Sequence, residues 1–192
     1  MKLDNPVWEA LATQQAGLAL GAGPARRFPA DHAPFLAVAD AGRDAAEAAA
    51  ALATPGEALY LLGAAPPSLP GCTLARKPPI TQMVYDGPPA EDEEEDDPDV
   101  VVLTDADAAE MLRLMAEVYP GYFRPRTHRL GAYLGVRWDG RLVAMAGQRL
   151  HLDGFREISG VATLPGHRGR GYAGRLVARL VRMILRDGDV PF

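Results

Sequence analysis

The sequence predicts a mixed α/β fold, and three observations predict it. Residues 157–164 contain an apolar, partly β-branched run (Ile158, Val161, Ala162) stopped by Leu164-Pro165-Gly166, which reads as a strand ending in breakers. From Ala173 onward Leu176, Val177, Leu180, Val181 and Ile184 recur at helical spacing, with Arg175, Arg179, Arg182 and Arg186 on the other face. Residues 133–138 and 142–150 are strand-like runs joined by Asp139-Gly140, a strong signal for a tight hairpin.

The remaining elements follow in chain order. Asn5-Pro6 opens a helix running to about Leu20, since proline suits the first helical turn. Residues 35–39 read as a strand, and residues 44–53 as an Ala-rich helix ended by Pro55-Gly56. Residues 58–62 and 80–85 read as further strands. Arg26-Arg27 and Arg76-Lys77 are isolated basic pairs, expected at the surface. Pro88-Pro89 precedes the acidic run from Glu91 to Asp97, which Pro98 closes. Self-repelling charge bracketed by prolines implies an extended linker. The expected organisation is therefore a smaller mixed α/β lobe over residues 1–87, an acidic linker over 88–98, and a second domain over 99–192. In that second part residues 100–103 form a short apolar strand. Thr104-x-x-Asp107 resembles a capping box with aspartate in the acidic position, and it opens a helix with Met111, Leu112, Met115 and Val118 on one face. Residues 120–127 form an irregular loop before the hairpin. No internal repeat is evident.

The chemistry lies between the last strand and the last helix, at Arg168-Gly169-Arg170-Gly171-Tyr172-Ala173. A Gly-rich turn at a helix start lets backbone N–H groups converge on an anion, and the helix dipole favours negative charge there. A nucleoside-triphosphate loop is excluded, because no Lys-Ser or Lys-Thr follows the glycines. Gly169 to Gly174 does fill G-x-G-x-x-G. A dinucleotide fold, however, needs an acidic residue about 20 positions later at the end of a second strand, and Asp187 and Asp189 come sooner, in a loop. The residues instead fill [QR]-x-x-G-x-[GA] with Arg168, Gly171 and Ala173, after a strand and Pro165. That arrangement closely resembles the acyl-coenzyme A signature of the GNAT superfamily of N-acetyltransferases, and the resemblance extends from about Val100 to the end.

The resemblance implies a GNAT-like acyltransferase fold using acetyl-CoA as cosubstrate, preceded by a smaller lobe as in related bacterial proteins. Val161, Ala162 and Thr163 take the place of the strand backbone that meets the pantetheine arm and the thioester carbonyl. The pyrophosphate would lie against the amides of Arg168, Gly169, Arg170, Gly171, Tyr172 and Ala173. Three or four charge-assisted hydrogen bonds of ~1.5–3 kcal/mol each account for most of a micromolar affinity of about -8 kcal/mol.

Glu157 stands where one branch of the superfamily, including histone acetyltransferases, carries its general base. An alkyl ammonium with pKa ~10.4 must lose a proton before attacking a thioester. A glutamate near ~4.3 needs burial or a water relay for that task. The competing reading is a structural carboxylate paired with Arg156 or Arg149. Ser159 is a second polar lining group or a core hydroxyl. Tyr119, Tyr122 and Arg126 surround the loop that covers the acceptor pocket in this fold, and Gln148 and His151 on the preceding strand face it. An arginine there suits a carboxylate on the acceptor. The family continues with a strand, a helix and a hairpin, and the helix often supplies a tyrosine acid. The sequence reaches Phe192 about where that strand begins, so these C-terminal elements are expected to be missing, with an open sheet edge available to another copy.

Composition narrows the rest. The 192 residues are 48% hydrophobic and 23% charged, ordinary for a soluble globular protein. A net charge of -5 argues against nucleic acid as an obligatory partner. Cys72 is the single cysteine, which fits a reducing cytoplasm and leaves no disulfide framework or thiolate metal cluster. His32, His128, His151 and His167 form no metal-ligand spacing, and no segment reads as a leader or a membrane span. With no nucleophile evident, the expected reaction is direct transfer of an acetyl or other short acyl group to a primary amine on a small molecule or peptide. The alternatives are an acyl-CoA sensor of the same fold without turnover, and a nucleotide-binding fragment.

Overall fold

The computed structural model describes residues 2–75, 79–88 and 97–192. The N-terminal lobe is built on a small sheet of β1 (Ala25–Arg27), β2 (Phe35–Val38) and β3 (Tyr60–Leu61), in that order, antiparallel and then parallel. Helix α1 (Pro6–Ala12) buries Val7, Ala10 and Leu11, and α2 (Arg43–Leu52) buries its Ala45-Ala46-Ala49 face. Short residues on α2 let the helix lie close to β1 and β2. The first helix is shorter than the sequence predicts, ending at Ala12 with only a turn of 3-10 helix over Ala16–Leu18. Gln15 explains the stop. Its side chain turns inward, donating to the carbonyls of Leu130 and Arg149 and accepting from the His151 amide.

Arg26-Arg27 is not the surface pair expected. Arg27 is buried and bonds Glu57 with both terminal guanidinium nitrogens, while Arg26 rests over the Trp8 ring. The Arg27 hydrogen bond, opposed by burial, holds the Glu57 carboxyl below its ordinary value. A depressed carboxyl contributes stability that is present above its unfolded pKa of ~4.3 and lost as pH falls through the lower folded value. Denaturant titrations are therefore expected to show stability falling below about pH 4, with a shallower acid slope in Glu57→Gln. Equal slopes would contradict the pairing.

The second half forms a five-stranded sheet of β4 (Val100–Leu103), β5 (Tyr133–Trp138), β6 (Arg141–Leu152), β7 (Phe155–Thr163) and β8 (Val190–Pro191), ordered as numbered. The first four are mutually antiparallel, and β8 runs parallel to β7, matching Val190 to Phe155. The expected hairpin turn is present, with Asp139 and Gly140 both at positive φ (50° and 77°). The capping box forms as read, Thr104 and Asp107 exchanging hydrogen bonds. It leads into α3 (Ala108–Val118), whose buried residues are Met111, Leu114 and Met115. Helix α4 (Tyr172–Arg186) buries Tyr172, Leu176, Leu180 and Ile184. Fully burying Leu176 and Leu180 stabilises the helix on the sheet by ~1.5–3 kcal/mol each. Arg175 on its outer side pairs with Asp97 and Asp99, tying the helix to the approach to β4.

Residues 80–85 do not form the expected strand. Their apolar side chains gain little burial, Ile80 and Met83 being 72% and 80% exposed. One bond, Tyr85 N–H to the Pro191 carbonyl, joins them to β8. Pro191 has no N–H to return, so no ladder propagates. Most of the acidic run and the Arg76-Lys77 pair lie outside the described residues.

The two lobes share a core. Leu3, Val7, Leu11, Phe28 and Phe35 pack with Leu130, Leu150 and Leu152, and Phe155 and Phe192 pack against the same cluster. The Thr127 hydroxyl donates to the His32 carbonyl at 2.6 Å, and the Arg126 amide donates to the Asp31 carbonyl. The N-terminal lobe is thus seated against β6 and the loop leading to β5.

Candidate active site

The turn from β7 into α4 runs through Pro165–His167 and then reverses sharply. Gly169 and Gly171 have φ of 76° and 77°, which L side chains rarely adopt, and no atom lies within 4 Å of where their Cβ atoms would stand. Gly171 caps α4 without a side-chain bond. The N–H groups of Tyr172, Ala173 and Gly174, in the first helical turn, have no intrahelical acceptor. They open onto a cleft of about 350 Å³. Every residue expected to hold the coenzyme lines it: Val161, Ala162, Thr163 and Arg168 to Ala173, together with Val118, His167 and Gly174. Arg168 folds back onto the Thr163 carbonyl, and the Arg170 guanidinium rests 4.8 Å over the Trp138 ring. Arg175 is held by its aspartates and lies outside the cleft lining. The Arg168 amide donates to the Pro165 carbonyl, and the open glycine cradle from Gly169 onward fits a diphosphate.

Strand β7 is irregular where it meets this cleft. Met145 matches Ala162, but Gly147 matches Ser159, so Ala146 on β6 faces two residues of β7, Gly160 and Val161. This is a β-bulge with Gly160 at φ 63°. It turns backbone groups out of the ladder, and Val161 is left 45% exposed at the surface of the cleft. Beneath the bulge lies Tyr133, buried, whose ring occupies the space that a Cβ on Gly147 would take.

Further along β7, Glu157 accepts from Arg149 Nε at 2.9 Å and from its terminal nitrogen at 2.5 Å. The two side chains are 16% and 18% exposed. The Arg149 guanidinium lies 4.6 Å over the Phe35 ring. An aromatic wall adjoins the pair: Phe35 meets Tyr60 edge-on, Tyr60 stacks on Tyr122 at 4.7 Å, and Tyr122 meets Tyr119 at 5.3 Å. Contact with the Tyr60 side chain, and then burial, push the Tyr122 phenol above its ordinary value, while the Arg149 charge opposes them. Phe35 and Tyr60 belong to the N-terminal lobe, so both lobes build this region.

An FR47-like protein family model matches residues 133–192, the hairpin through β8. The crystal structure of a GNAT-family protein from Novosphingobium aromaticivorans is 36% identical, with a TM-score of 0.89 over 100% of this chain and 84% of its own. The chain belongs to the GNAT family of acetyltransferases. A ribosomal-protein-alanine N-acetyltransferase from Brucella melitensis is 22% identical (TM-score 0.41, covering 48% of this chain and 76% of its own). An aminoglycoside N-acetyltransferase in complex with CoA is 19% identical (TM-score 0.41, covering 48% and 72%). Comparison with curated proteins returned no match.

Within this GNAT chain the other residues singled out from sequence are dispersed. Tyr119 and Tyr122 join the aromatic wall, whereas Arg126 pairs with Asp31 at 3.3 Å. His151 bonds Asp189 at 2.9 Å in a cluster with Arg156, clasping β7 to β8. Gln148 is buried, with its oxygen near the Ala132 amide and its nitrogen without a partner among the described residues. Ser159 is half-buried beside the bulge. Sequence reading missed Gly160, Tyr133 and Tyr60. Gly160 carried a signal, a lone glycine inside a strand run, which marks bulges. Tyr60 carried none, because only the docking of the lobes brings it near Tyr122. Among the described residues no helix is long and apolar enough to cross a membrane, and no side-chain group could hold a metal ion.

Proposed function

We propose that the chain transfers an acetyl or short acyl group from acetyl-CoA to a primary amine by direct transfer, in the cytoplasm. The carrying observation is that the glycine cradle and the bulged strand open into one cleft. A diphosphate on the amides of Arg168 to Ala173 would send the thioester arm along Val161 to Thr163. The acceptor would approach from the aromatic wall, where tyrosine faces and the Glu157 carboxylate both attract an ammonium. Glu157 is the proposed proton acceptor. A carboxylate offers about four lone-pair sites, and Arg149 takes two, leaving the others for the amine or a bridging water. The same ion pair favours the second reading, an acyl-CoA-binding module without turnover, because its carboxylate is already engaged.

The discriminating experiment is acceptor-dependent release of CoA thiol across an amine panel. Glu157→Gln is expected to slow release by roughly 10²–10⁴-fold while acetyl-CoA affinity stays unchanged. Coenzyme binding with no release for any amine would sink the enzymatic reading and support the second.

A further inference from the structure

We propose that the Tyr133 hydroxyl is a catalytic hydrogen-bond donor to the carbonyl oxygen of the acyl thioester, an assignment that rests on the acyl-CoA reading of the cleft. Tyr133 is 2% exposed, yet its hydroxyl oxygen is not among the fully enclosed polar atoms that lack a partner, so the small exposure includes the oxygen. This hydroxyl bonds no described residue; Arg149 and Glu157 act on it only through their charges. Its position is over-determined. Register pairs Tyr133 with Gly147 and Gly147 with Ser159, so the ring spans the sheet toward the bulge. A Cβ on Gly147 would stand 2.3 Å from the ring, and one on Gly160 3.3 Å from it and 3.7 Å from the hydroxyl oxygen. Phe123 closes the other side edge-on at 5.7 Å. Two glycines thus admit one aromatic ring and bring its O–H beside Gly160, next to the Val161–Thr163 part of β7 that lines the cleft.

The chemistry needs a donor there. As the amine nitrogen bonds to the thioester carbon, the carbonyl π pair moves onto oxygen. The tetrahedral centre then re-forms C=O, the C–S bond breaks, and its electron pair leaves on sulfur. The proton released by nitrogen passes by way of Glu157 and water, and the thiolate takes one from solvent. A fixed donor stabilises the oxyanion without reorganising. Burial pushes the phenol well above its ordinary value, so Tyr133 keeps its proton throughout and acts by hydrogen bonding alone.

The test uses the full-length protein, carbonyl-¹³C acetyl-CoA and the Tyr133→Phe variant. Calorimetry comes first: if the wild type binds no acetyl-CoA, the coenzyme reading falls and this proposal with it. Given binding, infrared difference spectra are expected to show the carbonyl stretch lowered in the wild type and shifted back toward its free value in the variant. Release of CoA is expected to slow by roughly 10²–10³-fold in the variant, with coenzyme affinity and melting temperature nearly unchanged. Replacing Tyr133 by 3-fluorotyrosine, a stronger donor, should lower the stretch further. An unchanged carbonyl frequency and turnover within threefold in Tyr133→Phe would leave the coenzyme site standing and make Tyr133 a packing group.

Discussion

Gly171→Val is expected to weaken acetyl-CoA binding by about 100-fold or more, the loss of two charge-assisted hydrogen bonds at ~1.5 kcal/mol each. Gly171 sits at φ 77° at the N-cap of α4. A β-branched residue adopts that conformation only under strain of about 1–3 kcal/mol, and relief of the strain would rotate the amides that the cradle depends on. Nothing crowds the position, so the effect is conformational rather than steric, and the fold should survive with a modestly lower melting temperature. Gly166→Ala is the matched control. It lies in the same turn, has open space around it and lacks a positive φ, so affinity should not change. Titration calorimetry on both variants decides the matter. A Gly171→Val protein with coenzyme affinity within threefold of the wild type would exclude the cradle as the anchor.

The largest stability effect is expected at Gly147. Its added Cβ would meet the buried Tyr133 ring at 2.3 Å, and the ring has little room to retreat between Phe123 and the bulge. Overpacking of this kind costs about 3 kcal/mol, which for a protein of this size lowers the melting temperature by roughly 6–12 °C. Because the fault lies between two residues, Gly147→Ala should be partly rescued by Tyr133→Leu, although that protein would lack the hydroxyl. Thermal melts of the two single variants and the double variant give the coupling directly. A Gly147→Ala protein as stable as the wild type would show that Tyr133 is not wedged as described.

What sequence could reveal follows the range of the interactions. The glycine turn between β7 and α4 was legible because its pattern is local: glycines two apart, a strand before them, a 3.6-residue apolar period after them. The Asp139-Gly140 hairpin was legible for the same reason, the dipeptide matching the positive φ values it adopts. Features that depend on distant contacts were not. The first helix stops at Ala12 because Gln15 is drawn to the backbone near Arg149, more than 100 residues away. Residues 80–85 have the composition of a strand but meet a proline edge. Arg27 looked like surface until Glu57 was placed beside it. Glu157 and Arg149 were nameable as a pair, yet the adjoining wall of Phe35, Tyr60 and Tyr122 exists only once β3 lies against the loop after α3.

The most direct test of the whole account is a crystal structure of the full-length protein with bound CoA. The account predicts pyrophosphate oxygens about 3 Å from main-chain nitrogens between Arg168 and Ala173, with the pantetheine arm running beside Val161 to Thr163. A coenzyme bound elsewhere, or a turn with those amides directed into the protein, would contradict it.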